Sequence, residues 1–137
     1  MDTTILVSGF GWGRMPGQVV DAALDGRFMP VTSDAILAEL GRVLRYEHLS
    51  PRFPEPDRIV ALWADACVIV SPTVTYELAA GDNHLLEAAH ESEADCIVTG
   101  DKPLLALADD NGFVRLGIVR TSILTVRSFL ERLAHSS

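Results

Sequence analysis

Four acidic residues far apart in the chain, Asp2, Glu39, Asp82 and Asp101, stand where a carboxylate could do chemistry. Hard divalent cations such as Mg2+ and Mn2+ prefer carboxylate oxygen and water, and they need few protein ligands. Two such ions about 4 Å apart can activate a water and stabilise the leaving oxygen of an in-line phosphoryl displacement. That chemistry needs several acids gathered from distant positions and no cysteine or histidine ligands. Each acid taken singly also has an ordinary explanation. Asp82 and Asp101 both precede helical stretches, and aspartate is a favoured helix cap contributing about 1 kcal/mol. Glu39 lies three residues after Ile36 and four before Val43, at the edge of a buried arc. A carboxylate there costs energy unless it is paired or metal-bound, and an ion pair with Arg42 or Arg45 satisfies it equally well. Asp2, followed by TILV, reads alone as an ordinary N-terminal acid. The four gain meaning only as a set.

The elements that must position them alternate between strand and helix. GQVVDAALDG reads as a helix, with Pro16 suited to its first turn and Gly26 to its end. FMPVT, near residues 28–32, reads as a strand weakened by Pro30. Ser33 caps a helix to about Tyr46 with Ile36, Leu37, Leu40, Val43 and Leu44 inward. SPRFPEPD is a turn, followed by a helix through Ile59, Leu62 and Trp63. CVIVS (67–71) and CIVTG (96–100) are apolar runs expected to be strands covered on both faces. Between them lies a helix through Leu85, Leu86, Ala88 and Ala89, headed by Asp82. Asp101 heads the short helix KPLLALA. The turn DDNG leads to a strand near Phe113–Val119, and Thr125 starts a final helix carrying Val126, Phe129, Leu130 and Leu133. This order predicts an α/β fold with a mainly parallel sheet and helices on both faces. In such sheets ligands sit beyond the carboxyl ends of the strands. Asp101 follows CIVTG directly, and right-handed crossovers bring Asp82 to the same rim.

The bulk properties fit one domain over residues 1–137 with a core that needs no disulfide support. A hydrophobic fraction of 48% excludes a disordered tail protein. No apolar run reaches the roughly 18 residues of a membrane helix, and no basic stretch followed by an apolar segment opens the chain. Cys67 and Cys96 each begin an apolar run and read as small buried hydrophobes in a reducing compartment, which points to the cytoplasm. The net charge of −8 argues against a general nucleic-acid coat, which would be basic. His48, His84, His90 and His135 show no metal-ligand spacing, and no serine or cysteine nucleophile has a partnered base.

Read along its length, the chain resembles the PIN-domain family, in particular the stand-alone prokaryotic branch associated with toxin–antitoxin pairs. DTTILVSGF is similar to the family's opening Asp-Thr-Asn-hydrophobic-Leu-Val-Ser pattern. SDAILAELGRVL resembles the segment bearing its glutamate. DNHLLEAAHESEADCIVTGDKPLLAL is similar to the stretch carrying the third and fourth acids, and ILTVRSFLERL to the closing helix. The resemblance implies a three-layer α/β/α sandwich and Mg2+- or Mn2+-dependent ribonuclease activity on an RNA substrate. It further implies inhibition by a small cognate antitoxin and is compatible with a homodimer. Matched by position, Asp2, Glu39, Asp82 and Asp101 fall on the family's metal-binding and catalytic acids, and Thr99 on the hydroxyl residue beside the last of them.

Three departures from the family pattern accompany the match. Thr4 stands where relatives carry an asparagine that helps order the site. The loop before Asp82 reads LAAG, where relatives often carry further acids. Relatives also place an apolar central strand before the first aspartate, whereas only Met1 precedes Asp2, so the first strand is expected to be truncated or missing. That leaves three outcomes open: residues upstream of Met1, a rebuilt sheet, or a poorly held Asp2. GFGWGR (9–14) matches neither a P-loop nor a dinucleotide fingerprint and reads as a flexible loop. Within it Trp12 is a candidate for stacking on a base and Arg14 for a phosphate contact. Arg42, Arg45 and Lys102 are further candidates to reach RNA phosphates, each equally at home as a solvated charge. The competing function is a non-catalytic PIN-like scaffold that grips RNA or a partner protein. A phosphoacceptor receiver domain is excluded, because CVIVS ends in Ser71 and Pro72 rather than in an aspartate.

Overall fold

The computed structural model describes residues 1–73, 83–109 and 121–135. Its elements follow in the order α1 (Thr3–Trp12), α2 (Arg14–Leu24), β1 (Val31–Ser33), α3 (Asp34–Leu44), α4 (Pro56–Ala66), β2 (Val68–Val70), α5 (Asn83–Ser92), β3 (Cys96–Val98), α6 (Lys102–Asp109), β4 (Ser122–Leu124) and α7 (Val126–His135). The fold is α/β, and the strands pair in parallel in two halves. In one half Val31 of β1 lies opposite Val68 of β2; in the other Cys96 of β3 lies opposite Ser122 of β4.

Alternation along the strands sends side chains into two helical layers. Ile97 packs with Leu85, Leu86, Ala88 and Ala89 of α5 and Leu104 of α6. Its neighbour Val98 points the other way, against Ile5 of α1, Val19 of α2 and Phe129 of α7. A third cluster, holding Leu6, Val20, Leu40, Leu44 and Trp63, joins α1 through α4. The helix ends carry their own local signals. Ser33 Oγ accepts from the Ile36 amide at 3.4 Å. At the end of α2, Gly26 adopts φ +76°, its N–H donates to the Ala23 carbonyl at 3.0 Å, and Arg27 N–H donates to the Ala22 carbonyl at 2.9 Å. That pairing is the Schellman pattern, which favours glycine because a Cβ is strained at positive φ.

The glycine-rich GFGWGR segment departs from the loop expected of it. Gly9 and Gly11 lie inside α1, and close packing explains both. A Cβ on Gly9 would come within 2.6 Å of Val20 and 2.9 Å of the Pro16 carbonyl, and one on Gly11 within 2.7 Å of the Phe53 ring. The helical cost of glycine, about 1 kcal/mol, is offset by letting α2 and Phe53 approach the backbone.

Two further expectations change. The first strand begins after Pro30, whose carbonyl accepts the Val68 amide at 2.9 Å, so proline borders the ladder instead of interrupting it. The second strand is not covered on both faces: Val68 is 42% and Ile69 49% exposed, and β2 pairs only with β1 among the described residues. Leu62 is exposed, while its neighbour Trp63 is buried and fills the core. The last strand, β4, lies at Ser122–Leu124. Asp82, the Phe113–Val119 run and most of the DDNG turn lie outside the described residues.

Asp2 N–H donates to the Val98 carbonyl at 3.2 Å, so the chain enters α1 against the edge of β3 that no other described strand pairs with. Beside it a groove of about 330 Å3 separates the half-sheets, lined by Met1, Phe28, Val31, Ile36, Cys96 and Val98 among others. Among the described residues, no helix is long and apolar enough to cross a membrane.

Candidate metal and active site

A cavity of about 310 Å3 lies beyond the carboxyl end of β3, lined by Asp2, Thr3, Thr4, Ile5, Glu39, His84, Leu85, Gly100 and Asp101. Three separate stretches bring carboxylates to it. Asp2 is delivered by the start of α1, Glu39 by the middle of α3, and Asp101 by the turn between β3 and α6. Residue 82 lies outside the described part of the chain; His84 and Leu85 of α5 line the cavity.

Asp2 is built into the fold. It is only 8% exposed and caps α1, with Oδ1 accepting the Ile5 amide at 2.9 Å. Its other oxygen accepts the Gly100 amide at 3.3 Å and the Thr99 hydroxyl. Thr99, fully buried, accepts in turn from the Asp101 amide at 3.0 Å. One hydroxyl thus ties the first acid to the backbone of the last, ninety-nine positions away in sequence. An Asp2 loosely held at the start of the chain is therefore not what the structure contains.

The other two described acids are held less tightly. Asp101 caps α6, its Oδ2 accepting the Leu104 amide at 3.1 Å, and its second oxygen makes no hydrogen bond among the described residues. Glu39 is half-buried and makes no ion pair or hydrogen bond among the described residues. Its two expected cationic partners are engaged elsewhere. Arg42 donates to the Tyr46 hydroxyl at 3.1 Å, while Arg45 donates to the Gly41 carbonyl at 2.9 Å and pairs with Asp57.

Among the described residues, neither lysine nor arginine lines the cavity. Its oxygen-rich lining fits a hard, hydrated divalent cation, which keeps several waters and takes only one or two carboxylates directly. No three described histidines, cysteines or acids converge closely enough to enclose an ion by themselves. His84, half-exposed at the cavity wall, lies 3.2 Å from Glu87 through Nδ1. Thr3, Ile5 and Leu85 also line the cavity and were not singled out by sequence; Thr3 and Ile5 flank Thr4 in the first turn of α1.

The remaining candidates for RNA contact separate in space. Trp12 is half-exposed at the end of α1, and Arg14 is exposed with φ +57°. Lys102 is exposed at the start of α6 and does not line the cavity. Arg52, which sequence reasoning passed over, stacks its guanidinium 5.2 Å from the Trp12 ring centre. The two cysteines are partly buried and unpaired; burial pushes the Cys67 thiol up to about 12 and raises that of Cys96 as well.

An α/β fold with parallel strands ending at an acid-lined cavity defines the class of molecule. A family model described as PIN domain matches residues 1–103, and the chain belongs to the PIN-domain family. All four acids lie inside the matched stretch. Members of this family are generally nucleases. It is also similar to an uncharacterized protein of Methanocaldococcus jannaschii, 27% identical over 141 aligned positions that cover 96% of this chain and 88% of the relative.

Proposed function

We propose that the chain is a metal-dependent ribonuclease in which Asp2, Glu39, Asp82 and Asp101 hold Mg2+ or Mn2+ and hydrolyse an RNA phosphodiester. The observation that carries this reading is the convergence of Asp2, Glu39 and Asp101, from three separate elements, on one cavity. The bound cation would supply Lewis-acid stabilisation of the phosphoryl oxygens and a lowered pKa for the attacking water. The chain itself supplies position and charge. Glu39 and the open oxygen of Asp101 face the cavity as ligands or as acceptors for the attacking water's proton. Asp2, fixed by three donors, gives a rigid negative wall, and Thr99 keeps it in register with Asp101. Asp82 is assigned by family position.

Cleavage of RNA in Mn2+ by wild type and Asp101→Asn tests the reading. Asparagine caps helices about as well as aspartate, so the variant should fold, while its neutral amide is a poor metal ligand. We expect the rate to fall by about 100-fold or more, on the order of 3 kcal/mol of transition-state stabilisation. Equal rates would exclude the mechanism.

A toxin role in a toxin–antitoxin pair, with a small antitoxin as partner and a cytoplasmic location, rests on the resemblance to the stand-alone prokaryotic branch. Co-expression with a small protein encoded on the same transcript should relieve growth arrest if this role holds. The second reading, a PIN scaffold that binds without cutting, is favoured by one observation: the Asp2 carboxylate spends its acceptor capacity inside the fold. Such a scaffold would bind Mn2+ weakly or not at all.

A further inference from the structure

Two helices leave the acid cavity side by side, and each leads to an exposed aromatic ring beside an arginine, at the end of α1 and just past the end of α3. α1 starts at Asp2 and ends at Trp12, which is 51% exposed. α3 carries Glu39 and Arg42 three residues apart on its surface, and Tyr46, two residues past its end, is 40% exposed. The helices run in the same sense. Near the cavity Asp2 and Ile5 neighbour Glu39, Leu6 packs with Leu40 and Leu44, and Gly11 meets Phe53 beyond the end of α3.

The ring at the far end is exposed yet held in place. Trp12 sits edge-on to Phe53 at 6.1 Å, and Phe53 is buried. Arg52 lies over the indole while its Nε donates to the Gly11 carbonyl at 2.6 Å. Arg42 donates to the Tyr46 hydroxyl at 3.1 Å, and the Tyr46 ring is tilted against His48 at 6.1 Å. The charges on this edge are also distinctive. Arg45 and Arg58 are neutralised by Asp57 and Glu55, whereas neither Arg42 nor Arg52 has a carboxylate partner among the described residues. Guanidiniums left without carboxylates beside preorganised rings, in a chain of net charge −8, match alternating phosphate and base chemistry. A protein partner would be better served by aliphatic surface, which this molecule exposes elsewhere, at Leu62, Val68 and Ile69.

We propose that single-stranded RNA leaves the acid cavity along the α1–α3 edge, with Trp12 and Tyr46 stacking on bases and Arg42 and Arg52 holding phosphates. The inference rests on the nuclease reading for where the strand begins, not for whether the edge binds it. Ten helical residues span about 15 Å, the length of about four stacked nucleotides at 3.4 Å each. The edge therefore engages nucleotides about three to four positions from the cleaved bond.

Fluorescence anisotropy of the full chain with labelled ten- and four-nucleotide oligouridylates, without divalent cation, tests this directly. Wild type should bind the longer RNA about tenfold more tightly, and Trp12→Ala should remove most of that difference while Trp12→Phe retains it. Arg52→Ala should lower the slope of log affinity against log salt by about 0.7, the signature of one lost phosphate contact on a single strand. A purely structural role for Arg52 would leave that slope alone. Leu62→Ala serves as the unaffected control. The proposal is overturned if the ten-nucleotide RNA fails to bind, or if Trp12→Ala and Arg52→Ala bind it like wild type. It is equally overturned if those variants lose capture of a protein partner instead. Trp12-dependent binding without Mn2+-dependent cleavage would keep the edge and sink the nuclease reading.

Discussion

Asp2 and Glu39 line the same cavity but are held by opposite means. Asp2 is buried, and both its oxygens are committed to amides and a hydroxyl of the fold. Glu39 stands half-buried on a regular helix with no partner among the described residues, although two arginines follow within six positions. A carboxylate with three donors stabilises the structure around it. One left unpaired at a cavity wall carries a desolvation cost that a cation would relieve. The comparison separates a residue that builds the site from one that the site leaves available.

Substitution at the two positions should therefore divide stability from activity. Asp2→Asn places an amide donor among donors in a buried setting, and we expect it to lower the unfolding free energy by about 3 kcal/mol. Glu39→Gln should change stability by no more than about 0.5 kcal/mol. Urea unfolding measures both, and comparable losses would break the distinction. A smaller effect is expected at the link between Asp2 and Asp101. Thr99→Val keeps the shape but removes one of the two donors to Asp2 Oδ2 and strands the Asp101 amide, costing about 1–2 kcal/mol. It should also weaken Mn2+ binding about tenfold, as for a residue that orients ligands. Thr99→Ser should restore most of both.

The smallest effect lies away from the cavity. The Cys67 thiol is raised from its ordinary 9.0 to about 12 by burial, so the folded state holds its proton more tightly than the unfolded one. That contribution is fully present below pH 9.0 and is lost as pH rises towards about 12. Cys67 should accordingly resist alkylation at pH 8 in the native protein and react readily in urea. Rapid native labelling would show that the thiol is not shielded.

How far these features could be read from sequence differs from element to element. Ser33 before an amphipathic run and Asp101 after CIVTG are local signals, and the structure places a cap at each. α1 was illegible because glycine's low helix propensity outweighs a pattern of only ten residues. The reason for Gly9 and Gly11 lies in Val20 and Phe53, distant in sequence. CVIVS reads as a doubly covered strand because an apolar run looks the same at an edge as at a centre, and only the pairing order shows that β2 has one described neighbour. At the site, residue types suggested Asp2, Glu39 and Asp101, yet their unequal roles were invisible. Nothing near position 2 announces a bond to Thr99, and nothing near Glu39 announces that Arg45 pairs with Asp57. Arg52 was missed for the same reason, since its partner Trp12 is forty positions away.

The central claim is that carboxylates from distant elements bind one or more divalent cations together in this cavity. Mn2+ titration followed by electron paramagnetic resonance, on wild type and on the double variant Glu39→Gln/Asp101→Asn, addresses it most directly. Saturable binding in wild type, displaced by excess Mg2+ and at least tenfold weaker in the double variant, is the predicted result. Indistinguishable Mn2+ binding by the two folded proteins would contradict it.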